Sequence, residues 1–257
     1  MQILAMKKYF ILFISLTAIC VSLFTFSCSK DSAANNMDSS GTGTGGSLAR
    51  FTIVGDYLYT VDHEVLKTYS LANPEEPALL SSVNVGWSIE TIYPYEGNLF
   101  IGSQSAMYIY SLSDPERPQN IGAVSHVRAC DPVVVNDDYA FVTVRAGTSC
   151  GGTVNALLIY DAINPDRAKQ IASVPLKEPY GLGIKGNTLY ICDGNDGLKV
   201  FDVTNPKSPA PLTYLDGYMF KDCIPYGDIL VCMVSRGMVI YDITNPNNPV
   251  FVTEIIS

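Results

Sequence analysis

The sequence predicts an all-β fold over residues 48–257, a five-bladed β-propeller of four-stranded antiparallel blades, and three observations carry that expectation. First, a turn proline recurs at Pro74, Pro115, Pro165, Pro206 and Pro246, in steps of 41, 50, 41 and 40 residues. A period near forty residues with strand-like content is the mark of a repeated β-array. Second, every repeat carries a two-residue turn signal, at Gly55-Asp56, Gly97-Asn98, Asp137-Asp138, Gly186-Asn187 and Gly227-Asp228. Each is followed by an apolar run such as Leu189-Tyr190-Ile191, the pattern of a hairpin. Third, no stretch between repeats holds a 3.6-residue apolar period long enough for the crossover helix of a parallel sheet.

Each repeat is predicted to contain four strands. The hairpin supplies two, and a third follows at Met107 to Leu112, Leu157 to Ile163, Leu198 to Val203 and Met238 to Ile243. An Asn/Asp-Pro-x-x-Pro corner, complete in four repeats, then leads to the fourth. At the corner an aspartate such as Asp202 or Asp242 accepts from the backbone two residues on, and proline fixes φ while withholding a donor. Ser70 and Ser111 replace that aspartate in the first two repeats, and weaker corners are expected there. No strand is left to exchange between the first and last blades, so ring closure is expected to rest on packing.

The third strands resemble the LVIVD repeat, a propeller-type repeat of bacterial surface proteins. The matching residues are Leu157-Leu158-Ile159-Tyr160-Asp161 and Met238-Val239-Ile240-Tyr241-Asp242, with Leu198-Lys199-Val200-Phe201-Asp202 a looser copy. The resemblance implies a fold and an interaction role, and it brings no catalytic residue with it.

Residues 1–27 read as an export signal. Lys7-Lys8 precede an apolar run from Tyr9 to Phe26, which ends at Ser27-Cys28. The run resembles the leader of bacterial lipoproteins, in which the cysteine after the small residue becomes the acylated first residue, with Thr25 standing where leucine is usual. That resemblance implies lipidation at Cys28 and a cell-envelope location, anchored in the outer membrane, with an ordinary signal peptide or an uncleaved anchor as the alternatives that Thr25 leaves open. Ser29-Lys30-Asp31 resembles the surface-export signal of lipoproteins in the Bacteroidota and implies display on the cell surface. Residues 28–47 then form a polar, glycine-rich tether, and as a flexible coil nineteen residues span about 24 Å.

The chain carries 16 Lys and Arg against 25 Asp and Glu. Processing before Cys28 removes two lysines, leaving 14 against 25 and a net charge of −11. Such a surface does not gather phosphate, so nucleic acid is excluded as a partner. In an oxidising compartment cysteine pairing is the default question. Cys130 and Cys150, at the start of a blade and in its inserted loop, are expected to form a disulfide. The turn at Gly227-Asp228 sets Cys223 opposite Cys232, either bonded or as two buried thiols, and Cys192 is left over.

Function is expected on the face formed by the loops entering each inner strand and the loops between second and third strands, because these change character from repeat to repeat. That face collects Trp87, His63 and His126, with Glu90, Arg128, Asp131, Arg145, Tyr180, Tyr218, Phe220, Lys221 and Arg236. Aromatic rings with a few charges at a concave mouth suit a protein or glycan ligand, although Tyr218 and Phe220 also fit as plugs between blades. The segment from Arg145 to Asn155 is an insertion that no other repeat has. No cofactor is implied. Asp193-Gly194-Asn195-Asp196-Gly197 resembles part of a calcium loop but lacks the later bidentate acid, so it reads as a solvated tight turn, and no metal site is expected. The chain lacks a Gly-x-Ser-x-Gly elbow and a phosphate loop. A non-enzymatic binding platform is therefore the first expectation. A glycan hydrolase using Glu90 and Asp131 and a subunit of an envelope complex are the alternatives.

Overall fold

The computed structural model describes residues 46–125, 132–148 and 152–256. They form twenty strands in five antiparallel four-stranded sheets, each with its strands in chain order. Blade 1 is Phe51–Val54, Tyr57–Asp62, Val65–Ser70 and Ala78–Asn84. Blade 2 is Ile89–Tyr95, Asn98–Ser103, Ala106–Ser111 and Gln119–Ser125. Blade 3 is Val133–Asn136, Tyr139–Val144, Ala156–Asp161 and Lys169–Pro175. Blade 4 is Leu182–Lys185, Thr188–Cys192, Leu198–Asp202 and Ala210–Leu215. Blade 5 is Phe220–Tyr226, Ile229–Val234, Gly237–Asp242 and Val250–Ile256.

One set of bonds builds every blade. The residue after the third strand donates its N–H to a carbonyl of the hairpin turn: Leu71 to Asp56, Leu112 to Gly97, Ala162 to Asp138, Val203 to Asn187 and Ile243 to Asp228. The corner aspartate then accepts from the backbone two residues on, Asp202 from Thr204 at 2.8 Å and Asp242 from Thr244 at 2.7 Å. Ser70 and Ser111 make the same bond through a hydroxyl, to Ala72 and Ser113, at 3.2 Å in each case. The serine corners are thus intact, because a hydroxyl is an acceptor at the same reach, and they lie within the range of the aspartate corners, since Asp161 accepts from Ile163 at 3.3 Å. In all five blades the register shifts by one residue immediately before the aromatic that precedes the corner residue, as at Val200/Phe201 and Ile240/Tyr241. This bulge strengthens the twist between third and fourth strands.

One turn differs from the sequence expectation. In blade 2, Asn98 already pairs with Tyr95, so the turn residues are Glu96-Gly97, both with positive φ. Cys223 does face Cys232, and both are free thiols, as is Cys192. All three are buried in the core between blades 4 and 5. The predicted Cys130–Cys150 pair and Cys28 lie outside the described residues.

Blades pack face to face, and four apolar cores fill the seams between blades 1 and 2, 2 and 3, 3 and 4, and 4 and 5. Three of the four seams, those between blades 2 and 3, 3 and 4, and 4 and 5, are also latched at the hairpin-turn end. The residue just before a turn reaches the first turn residue of the next blade: the Asp137 N–H donates to Tyr95 Oη, Asn136 Nδ2 to the Gly186 carbonyl, and Lys185 Nζ to the Gly227 carbonyl. Tyr59 and Tyr190 donate to the corner carbonyls Pro115 and Pro246 of the following blade, at 2.8 and 2.9 Å. The corners are therefore docking points between blades as well as turns.

Closure by packing of blade 5 on blade 1 is not what the structure shows: among the described residues no fifth core joins those two blades. The link at the axis is made by the lead-in to blade 1. Ser47, assigned to the tether by sequence, is buried, donates to Asp222 Oδ1 of blade 5 at 3.1 Å and accepts from the Leu182 N–H of blade 4 at 2.8 Å. A Cβ on Gly46 or Gly181 would overlap an Asp222 carboxyl oxygen, so glycine at both positions lets the carboxyl seat.

Two outcomes follow from this packing. A Cβ on Gly122 would overlap the Pro165 carbonyl of the next blade. Gly122→Ala should therefore lower thermal stability by about 1–3 kcal/mol, the usual cost of overpacking, with an unaltered melting curve as the contrary result. Burial raises the Asp222 pKa to about 6 against bonds from the Cys223 and Leu48 N–H groups and the Ser47 hydroxyl that oppose the rise. The folded state holds this proton longer than the unfolded chain, so the group's contribution is complete below about pH 4 and is lost as pH climbs through about 6. Each pH unit separating the two titrations is worth about 1.4 kcal/mol, so the loss is at most about 3 kcal/mol. The pH dependence of denaturation across that window should flatten in Asp222→Asn, and an unchanged slope would assign it to other groups.

Candidate functional site

The entry-loop face carries a cleft of about 250 Å³ lined by Leu48, Arg50, Glu90, Thr91, Pro132, Arg145, Pro179 and Tyr180. These residues come from the lead-in and from the inner-strand starts of blades 1 to 4, together with the end of the second strand of blade 3. Blade 4 fixes Tyr180 in place. Its N–H donates to the Cys192 carbonyl, its own carbonyl accepts from Thr143 Oγ1 of blade 3 at 2.5 Å, and its phenol donates to Glu178 at 3.3 Å. The Arg145 guanidinium lies 3.8 Å above the ring, which holds the charge at the cleft without engaging its N–H donors.

Arg145 opens the inserted loop, and Asn155 closes it. Asn155 Oδ1 accepts from the Ala146 N–H at 2.7 Å, and its Nδ2 donates to the Lys177 carbonyl at 2.6 Å. Gly147 and Gly152 pair between them. The insertion therefore leaves and rejoins the blade through one amide side chain, tied to blade 4. Among the described residues two guanidiniums and one carboxylate line the cleft, on a chain whose net charge is −9.

The other predicted residues fall apart from this cleft. Trp87 stands in solvent at 78 % exposure and does not line it. Phe220 is fully buried against Tyr218 and Tyr241, a plug in the core between blades 4 and 5, which removes it from the binding face. Tyr218 and Arg236 line a second cavity of about 330 Å³ on blade 5 with Met219, Ser235 and Glu254. There the Tyr218 phenol donates to Glu254 at 2.6 Å, and that bond raises its pKa. Lys221 is half-buried, and its carbonyl accepts from Gly181. His63 sits beside Asp62 on the surface. His126, Arg128 and Asp131 lie outside the described residues.

Asp193-Gly194-Asn195-Asp196-Gly197 is tight but not solvated. The Asp193 carboxylate is fully buried, accepts from the Lys177 and Glu178 N–H groups and pairs with Lys199 Nζ at 2.7 Å. Lys199 also binds Asp196 at 2.6 Å, and Lys177 does so at 2.5 Å. Ammonium groups thus occupy the acid oxygens that a cation would need. Among the described residues no group of three or more His, Cys, Asp or Glu is arranged to hold a metal ion. Leu48, Arg50, Thr91, Pro132 and Pro179 line the cleft without having been singled out from the sequence. Arg50 sits at an inner-strand start, as Glu90 does, and that shared position was the available signal.

Comparison with known proteins agrees with this architecture. The LVIVD repeat matches residues 181–213 and 230–255, within blades 4 and 5. No curated protein matches the chain. Among solved structures, a protein from Lactobacillus plantarum is similar at a TM-score of 0.61 and 15 % identity, covering 80 % of this chain and 74 % of its own. The computationally designed Ika8 protein is similar at a TM-score of 0.60 and 10 % identity, covering 80 % and 60 %. BamB from Moraxella catarrhalis is similar at a TM-score of 0.56 and 7 % identity, covering 76 % and 55 %. The chain thus spans about three fifths of the length of the Ika8 and BamB chains. These likenesses, with the five repeated sheets, define a β-propeller whose fourth and fifth blades match the LVIVD repeat.

Removing the ring beneath the guanidinium tests the geometry. Tyr180→Ala should remove the cation–π contact and lower stability to denaturation by about 0.5–1 kcal/mol, with Tyr180→Phe retaining most of it. Equal losses in both variants would show that the ring does not position the charge.

Proposed function

We propose that this protein is a non-enzymatic, surface-exposed lipoprotein that binds protein or glycan ligands through the entry-loop cleft. In this reading Cys28 is acylated, residues 28–47 act as the tether, and the blades are displayed from the outer membrane. The observation that carries the reading is the Arg145 guanidinium fixed over Tyr180 beside Arg50 and Glu90. A planar fork held in place on an otherwise acidic chain favours carboxylates, as acidic sugars or as Asp and Glu side chains. The inserted loop, present in one blade only, supports a recognition role for this side of the molecule. Among the described residues no helix is long and apolar enough to cross a membrane, and the proposed anchor requires none.

Two measurements test the reading. Cys28→Ser should move the protein from the membrane fraction to the soluble fraction, and unchanged partitioning would remove the lipid anchor. An array of acidic and neutral glycans and peptides, probed with the wild type and Arg145→Ala, should show retention of carboxylate-bearing members that falls about tenfold or more in the variant. Glycans shortened during incubation by the wild type and left intact by Glu90→Gln would instead establish a hydrolase.

A further inference from the structure

The two ends of the blade array present faces that every internal seam buries. On the side turned toward a following blade, the third strands place Leu66, Met107, Leu157 and Leu198 at one register position, and all four are fully buried or within 1 % of it. Met238 holds that position in blade 5 and is 47 % exposed. Its cross-strand neighbour Met233 is 41 % exposed, whereas its equivalents Val61, Thr143 and Cys192 are buried. On the side turned toward a preceding blade, Ile92, Val133, Leu182 and Cys223 are buried in blades 2 to 5. Phe51 holds that position in blade 1 and is 60 % exposed, with Leu79 of the same blade also exposed.

The latch is present as well. Tyr95, Asn136 and Lys185, each just before a hairpin turn, bond the first turn residue of the next blade. Tyr226 holds the same position in blade 5 and carries a phenol, as Tyr95 does, but it is 64 % exposed. The turn it would meet is Gly55-Asp56 of a blade 1. Tyr226 and Phe51 are both exposed within one chain, so the chain's own blade 1 does not receive this face.

We infer that a second copy of the chain docks head to tail, its blade 1 seating on the apolar face of blade 5 and its Gly55-Asp56 turn receiving Tyr226. The contact continues the interface that the chain already makes four times, with the same register positions on each side. A face-to-face apolar seam excludes water along the length of both strands, and Met238, Met233, Ile229 and Val231 supply adaptable aliphatic surface for it. The pairing is heterologous, because each copy offers one face and receives the other.

The full chain, extracted from membranes in detergent, should sediment as more than one copy, and Met238→Glu or Phe51→Glu should weaken association at least about tenfold while leaving the melting curve in place. Both substitutions fall on exposed side chains, so agreement between them separates lost docking from lost folding. Two differently tagged chains, one with Tyr226→Cys and the other with Asp56→Cys, should form a mixed disulfide on co-expression, a bond that arises only between copies. A single-copy mass for the wild type, association indifferent to both charges, or a bond closing within one chain that carries both cysteines would overturn the inference. Recovery of blade 5 covered by a different protein would overturn it as well.

Discussion

Each blade is a sheet with two apolar faces, and a sheet cannot cover itself. Everything else in the architecture answers to that constraint. Three central blades bury both faces, so their second strands are buried at almost every position, as in Ala140 to Val144 and Thr188 to Cys192. Blades 1 and 5 have one neighbour each, and their second strands alternate between buried and open residues. The alternation reflects position in the array, because the underlying repeat is the same.

Between the faces, polar bonds decide how adjacent blades align. The latches and corner contacts are few, but each ties a backbone group that would otherwise end at a turn, and each fixes one blade's turn relative to the next. At the axis the alignment depends on Ser47 and Asp222, a hydroxyl and an acid that join the lead-in to blades 4 and 5. The acid is buried, and its environment favours the neutral form. The axial joint therefore contains a group whose protonation is coupled to folding. The entry-loop cleft draws on the same region, since Leu48 lines it one residue beyond that hydroxyl.

Much of the fold was legible in the sequence because repeats fix spacing and turns fix register. The Cys223 and Cys232 pairing followed from one turn, and the four-strand pattern from the prolines. The turn at Gly97-Asn98 was placed one residue late, because Asn98 is a turn-forming residue that here begins a strand. Phe220 was legible as an aromatic near a loop but not as a core residue, since burial there depends on Tyr241 from two strands away. The axial joint had no signal: Ser47 reads as linker by composition and Asp222 as an isolated acid. The cleft was half visible, in that Glu90, Arg145 and Tyr180 were singled out while Arg50 and the stacking of Arg145 on Tyr180 were not. Stacking is a relation between blades, and one chain read in order does not contain it.

The latches also distinguish blades that otherwise look alike. A phenol accepts from an N–H at one seam, an amide donates to a carbonyl at the next, and an ammonium does so at the third. Identical repeats would be interchangeable, free to be duplicated, deleted or reordered by recombination with little loss. Here the three latched seams differ in the side chain that meets the turn backbone and, at one of them, in which partner donates.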